Sequence, residues 1–570
     1  MTEIASDAPL RLGIDDRLID GLVAVVVGGV AFFAIVGPQV LDVTNMLWLA
    51  QGQDGYTHYL GWEFFRRSPW TWPLGLNPDY GMQFSSSILF SDSIPLLALP
   101  LKLFSPWMPR VFQYTGWWLL ACFLLQGYFA SRIVGLFSRD ALVKFGLAVL
   151  VVCAPPMLWR LSVHYSLVAH WIVLATIYLY WAPTRPLRWL HWTVLFGLSA
   201  LIHTYFLGMC MPIWIASLVR RRIVDGRIAA WPLEIAAVPG VAIGALWIAG
   251  FFPLRSDMLS WGYGVYRLNL LALLNPDGGT LPDHWSWSSF LPNLPHGAGD
   301  YEGFAYAGLG ILAAIILAFP LAIVEHHSYR GKTIWPLTLA ALVLTLFALS
   351  PHLAVADRGI LIPAPDILYA LAGSMRSSGR FFWPVYYLLP IGAVWLLQRG
   401  FGDRKTGVLL LVLAALQIYD TAPGWSSLHA RFERTGSSLP SSIDDPRLAV
   451  VASHYAAVRM IPAGNQRLHW DEVAGFALQV GKPTDVTYLA RPDDEGYATY
   501  MSSIVATIGR HGLASDSLYF LNRYYASKVA AHMGPADAMF RAGDLYVFAP
   551  GWTNLGLTTQ LPSSRPWSPM

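Results

Sequence analysis

Charge is scarce in this chain: Asp, Glu, Lys and Arg make up 13% of its 570 residues. A soluble domain carries about 25%, so this composition excludes an ordinary water-soluble fold. The net charge of +3 is too small to point to nucleic acid. Cysteine is nearly absent, and Cys122, Cys153 and Cys210 all fall inside apolar runs. That placement excludes a disulfide framework or a thiolate metal cluster and leaves packing as their role. No phosphate-loop motif, HExxH pair or nucleophile elbow occurs, and no internal repeat is evident. The start of the chain has no clear small-residue cleavage site, so the first apolar run reads as an uncleaved anchor.

What is abundant is apolar sequence: 55% of residues are hydrophobic and the mean hydropathy is +0.45. Spanning a bilayer takes about 17–25 apolar residues. Candidate runs are Leu22–Val40, Val111–Ala130, Ala141–Leu158, Leu167–Trp181, Trp231–Phe252, Ala305–Val324, Ile334–Leu349, Phe381–Leu397 and Thr406–Tyr419. Ile88–Phe104 is apolar but broken by Asp92, Pro95, Pro100 and Lys102, which suits a helix lying in the interface. Leu190–Val219 is too long for one span and carries His203 near its middle.

Basic residues collect on the cytoplasmic side. Arg132/Arg139/Lys144, Arg185/Arg188, Arg220/Arg221/Arg222, His326/His327/Arg330/Lys332 and Arg399/Arg404/Lys405 all fall there if Leu190–Val219 is a hairpin turning at His203. The expected fold is an all-α polytopic membrane protein of about eleven transmembrane helices. Its first outer loop, about residues 41–110, holds interfacial helices. Residues 1–420 form the membrane domain, and 421–570 a small C-terminal α/β extracytoplasmic domain. In that tail, Leu448–Ser453, Val486–Ala490 and Asp544–Phe548 read as strands, and Ala498–Arg510 and Arg523–Met533 as helices.

Ionisable groups at a membrane boundary are costly and mark function. Asp54, between two glycines after the first span, can accept a proton from an attacking hydroxyl or amine; as a bland alternative it caps a helix. His58 follows in the same stretch. Asp79 and Asp92 are further acids, with an N-cap equally open to Asp92. His203, at the presumed turn, can hold a phosphate or satisfy a neighbouring helix. Arg160 and His164 fall on the same expected outer side, with His170 beyond them. Arg376 and Arg380 flank small residues before an outer-side span, where positive-inside statistics disfavour them. Guanidinium suits phosphate, and lipid headgroups are the alternative partner. The 252–302 loop offers Asp257, Asp277, Asp283, His284, Asp300 and Glu302, which are metal-ligand types in no diagnostic spacing. Glu302 stands right before a span.

Several stretches carry a resemblance: Gly52–Gly61, Trp70–Gly81 (with Trp70-Thr71-Trp72-Pro73), Ser91–Pro95 and Ser377–Trp383. With a long first outer loop bearing an early acid and a C-terminal extracytoplasmic domain, the chain resembles the GT-C superfamily of polytopic glycosyltransferases. The likeness covers roughly the first 250 residues as architecture. It implies an inverting transferase at the outer face of a bacterial inner membrane. The donor would be a lipid-linked sugar, the acceptor a glycan, lipid or protein. Asp54 would be the catalytic base. His203, Arg376 and Arg380 would bind the donor phosphate, while His58, Asp92, His164 and Glu302 would contact acceptor or loops. The resemblance implies that Asp54, His203 and Arg380 share a cavity. His164 stands where many members carry an acid, which weakens the case for a divalent metal, and no cofactor is expected. A transporter or flippase, an O-antigen ligase or polymerase, and a non-catalytic envelope-assembly protein are the rival readings.

Overall fold

The computed structural model describes residues 14–50, 52–84, 86–162, 164–183, 187–226, 231–252, 262–279, 285–325, 331–438, 441–443, 446–508 and 512–555. Arg185, Asp257, Asp283, His284, His326, His327, Arg330 and Arg510 lie outside them. The chain divides into two compact units. The first comprises residues 1–42, 114–245 and 259–434; the second comprises 43–113, 246–258 and 435–570.

The first unit is helical. Across the described chain, five helices are long and apolar enough to cross a membrane: Asp16–Ile35, Thr115–Val134, Trp231–Ile248, Ser378–Phe401 and Asp403–Phe432. The bent pair Ala141–Val152 and Pro155–Ser162 makes six if it is one span. Tyr165–Trp181, Leu309–Val324 and Thr333–Leu349 are shorter apolar helices. Asp403–Phe432 runs unbroken across the expected domain boundary at residue 420.

The first helix begins well before its apolar run, at Ile14. Its acids explain the extension. Asp20 is fully buried and accepts from Lys144 Nζ at 2.9 Å, Arg132 Nη1 at 3.3 Å and Ser131 Oγ at 2.5 Å. Buried charge is tolerated when paired, so the acids here neutralise one of the basic clusters. The chain breaks at His203, which separates Arg188–Ile202 from Thr204–Asp225. These helices fold back on one another, since Phe196 and Trp214 bring their rings to 5.6 Å. The hairpin expected from charge placement is present. Strands β1 (His352–Val355) and β2 (Arg358–Leu361) form a small antiparallel ladder.

The second unit joins the loop of residues 43–113 to the tail. The loop holds the helices Gly52–Arg67 and Pro95–Lys102. The tail carries a four-stranded sheet with β3 (Ala457–Ile461), β4 (Ser517–Leu521), β5 (Ala538–Ala542) and β6 (Leu545–Ala549), ordered β3-β4-β6-β5. β3 and β4 are parallel, and the other pairs are antiparallel. Gly543, at φ +59, turns the β5–β6 hairpin. Helices Asp494–Ile508 and Arg523–Ala530 bury Ile504, Ile508, Ala526 and Val529 against Leu521 and Phe548.

Two strand expectations are corrected. Leu448–Ser453 lies in the helix Pro446–Ser453, where Pro446 supplies a preset helical φ at the first position. Val486–Ala490 forms no strand; just before it, Thr484 makes isolated bridges to Tyr80 and Val458. Asp544–Phe548 falls on β6 shifted by one residue.

Candidate functional site

The sequence marks arginines and one glutamate beside apolar runs, and the first unit brings three of them together. Arg160 ends a bent helix pair, Glu302 sits in the short turn Asp300–Gly303, and Arg380 lies in Ser378–Phe382. All three are buried. Glu302 Oε2 accepts from Arg160 Nη1 at 2.8 Å and Arg380 Nε at 2.9 Å, while Oε1 accepts from Arg380 Nη2 at 2.7 Å. Arg160 Nη2 also donates to the Glu302 carbonyl at 3.0 Å. His164 Nε2 stands 3.9 Å from Glu302 Oε1.

Close backbone approach makes this meeting possible. A Cβ on Gly379 would lie 2.5 Å from Gly303 Cα, and one on Gly303 would lie 2.2 Å from the Arg267 carbonyl oxygen. Asp300 braces the same turn, accepting from Arg267 Nε at 3.2 Å and Asn269 Nδ2 at 2.8 Å.

Two guanidinium groups therefore share one carboxylate, and one positive charge is left over among these three side chains. Burial alone would raise the Glu302 carboxyl. Arg380 and Arg160 overcome burial and hold it well below the usual carboxylate range. Aromatic faces enclose the excess charge. Arg160 lies 4.4 Å from the Trp159 ring centroid and 5.0 Å from that of Trp383, and Arg380 lies 4.8 Å from that of Tyr205. Tyr205 fixes the arginine loop by accepting from the Ser377 amide at 2.9 Å. His170 packs on Trp383 at 4.1 Å and shares a hydrogen bond with the Tyr387 hydroxyl at 2.8 Å.

The remaining first-unit candidates take other positions. His203 caps the second hairpin helix, its Nδ1 accepting from the Tyr205 amide at 3.2 Å. Arg376 is exposed, unlike Arg380 four residues on. Asp277 pairs with His296 at 3.5 Å, so the described acids of the 262–302 stretch face separate partners.

In the second unit, Asp54 is in the first turn of Gly52–Arg67, where a carboxylate favours the helix dipole. His58 follows one turn later on the same face. Its Nδ1 lies 2.7 Å from the Asp92 carbonyl oxygen, and a His58 ring nitrogen and an Asp92 carboxylate oxygen come within 4.8 Å. Ser93 Oγ donates to the His58 carbonyl at 2.8 Å. Gly61 admits this loop, since a Cβ there would lie 2.2 Å from Ser91 Oγ. Asp92 and Ile94 hold left-handed φ of +53 and +50, a costly backbone for side-chain-bearing residues. Asp92 is not the N-cap of Pro95–Lys102; that position is Ile94, with no side-chain cap.

Sequence reasoning underrated Glu302 and missed Tyr205, Trp159 and Trp383. The available signal was adjacency: Trp159 precedes Arg160, and an aromatic run follows Arg380. Among curated proteins, none matches this chain. Residues 447–557 match the family model described as DUF6311 C-terminal domain, and residues 25–422 match Domain of unknown function (DUF6311). With most of its length matched, the chain belongs to the DUF6311 family.

Proposed function

We propose that this protein is an inverting membrane glycosyltransferase of GT-C type. It moves a sugar from a polyprenyl-phosphate donor to an envelope acceptor at the outer face of a bacterial inner membrane. The proposal includes about eleven crossings, with the C-terminal domain periplasmic. The observation that carries it is the buried meeting of two guanidiniums, Arg160 and Arg380, on the single carboxylate of Glu302. A phosphate offers charge and paired acceptor oxygens to a guanidinium. In the same unit, an apolar groove of about 350 Å³ is lined by Phe129, Trp171, Tyr178, Leu190, Val194 and Leu198, surroundings suited to a prenyl chain.

In this reading the bond between the anomeric carbon and the phosphate oxygen breaks, and the phosphate leaves with the electron pair. Cations stabilise that developing charge. The acceptor hydroxyl attacks the opposite face and gives its proton to a carboxylate, for which Asp54 is the candidate. His164 supplies a further donor beside Glu302.

The test uses full-length protein in vesicles with radiolabelled polyprenyl-phosphate sugars. Transfer is expected from at least one donor and should fall at least a hundredfold in Asp54→Asn, with folded protein retained. Undiminished transfer would remove Asp54 as base. Failure of the wild type to bind polyprenyl phosphate would sink the transferase reading.

A further inference from the structure

The second unit also holds a cavity of about 320 Å³ that none of the chemistry above uses. Small-molecule sites are typically about 300–1,000 Å³. One wall is the far end of Gly52–Arg67, contributing Tyr59 and Arg67, with Arg110 beside it. The facing wall is the helix Trp470–Gln479, contributing Asp471, Glu472 and Phe476. Ser437, Ser438 and Ser441 also line it, with the apolar Met46 and Val111.

The charged groups of this lining balance, two guanidiniums against two carboxylates, which disfavours a strongly charged ligand. Three of the four are already oriented. Arg67 donates to the Leu478 carbonyl at 3.2 Å and to Glu63 at 2.6 Å; Arg110 donates to the Gln479 carbonyl at 3.1 Å. Glu472 accepts from the Ser442 amide at 2.6 Å and pairs with His469 at 3.0 Å. Such fixing lowers the entropy lost on binding. Asp471 is held by main chain alone: among the described residues its carboxylate accepts from its own amide and that of Glu472, and burial raises its carboxyl. A ligand for these walls must donate to a carboxylate and accept from guanidinium and serine hydroxyls. Hydroxyl groups do both, and Tyr59 and Phe476 add aromatic lining of the kind that suits the C–H face of a pyranose.

We propose that this cavity binds a neutral saccharide, its hydroxyls donating to Asp471 and accepting from Arg67, Arg110 and the serines. The reading stands apart from the transfer chemistry: its readout is binding, and neither Glu302 nor Asp54 takes part. Full-length protein in detergent is titrated with glucose, galactose, mannose, rhamnose and N-acetylglucosamine, read by saturation-transfer difference NMR. Saturable binding of at least one is expected, weakened at least tenfold in Asp471→Asn, the loss of a charge-assisted hydrogen bond. Should that variant fold poorly, Ser438→Trp at an exposed rim position blocks the same signal without lowering the melting temperature. Saturable binding by none of the five sugars, or unchanged affinity in the folded variants, overturns the proposal. Displacement of the sugar by an equal concentration of inorganic phosphate overturns it too, by identifying an anion site.

Discussion

Each unit contains a buried glutamate between two arginines, and the two triads behave oppositely. Glu302 faces Arg160 and Arg380; Glu63 faces Arg66 at 3.0 Å and Arg67 at 2.6 Å. Burial raises the Glu63 carboxyl, and its arginines do not reverse the shift. At Glu302 they do. The difference lies in where the donors point. Arg66 gives hydrogen bonds to the Pro109 and Arg110 carbonyls, and Arg67 to Leu478 and Arg110 carbonyls. Those guanidiniums brace main chain as much as they neutralise the acid. Arg380 instead aims Nε and Nη2 together at the Glu302 carboxylate. The same two residue types, in the same ratio, thus make a cross-brace of main chain in one unit and a closely paired ion cluster in the other.

The comparison is broken most severely by Glu302→Gln. It leaves two buried guanidiniums without their anion, so a loss of about 3–5 kcal/mol is expected, read as a lowered melting temperature in detergent. Little change would mean that the cluster is already well solvated. Gly379→Ala should disturb only this triad, because the new Cβ meets Gly303 at 2.5 Å. Overpacking of this kind costs about 1–3 kcal/mol, and circular dichroism melts should show it while Gly61-dependent contacts of the other unit persist.

The smallest effect sharpens the contrast. Glu63→Gln should cost about 1 kcal/mol, because its arginines keep their carbonyl partners. The pH dependence should carry opposite signs. A raised folded pKa means the folded state keeps its proton after the unfolded chain has released it, so Glu63 loses stabilising effect as pH rises above the ordinary 4.5. Glu302, held low, contributes fully above the unfolded value and loses that contribution as pH falls. Unfolding curves of each Gln variant across pH 4–7 check this: the two substitutions should remove slopes of opposite sign, and like signs would refute the contrast.

Much of the helical architecture was legible because apolar content is local and additive. The break at His203 followed from requiring Arg188 and Arg220 on one side, and the aromatic contact between Phe196 and Trp214 bears the hairpin out. The two readings of His203, a phosphate contact or a ring satisfied by a neighbouring helix, did not include the cap it makes on its own following helix. Leu448–Ser453 was misread because a short apolar run fits strand and helix alike. β3 went unnoticed because its parallel partner β4 lies some distance along the chain and no turn announces the pairing. Asp92 looked like a cap from its neighbours, yet its left-handed backbone is set by packing of the loop on the Gly52–Arg67 helix.

By itself the sequence determined that this chain is built for apolar surroundings, and which segments end in charge, because hydropathy depends only on neighbouring residues. Tertiary structure alone decided that Glu302 would serve Arg160, 142 positions away, and Arg380, 78 positions away. Ion pairing depends on ångström-scale approach, and that approach rests on two glycine backbones touching at Gly303 and Gly379.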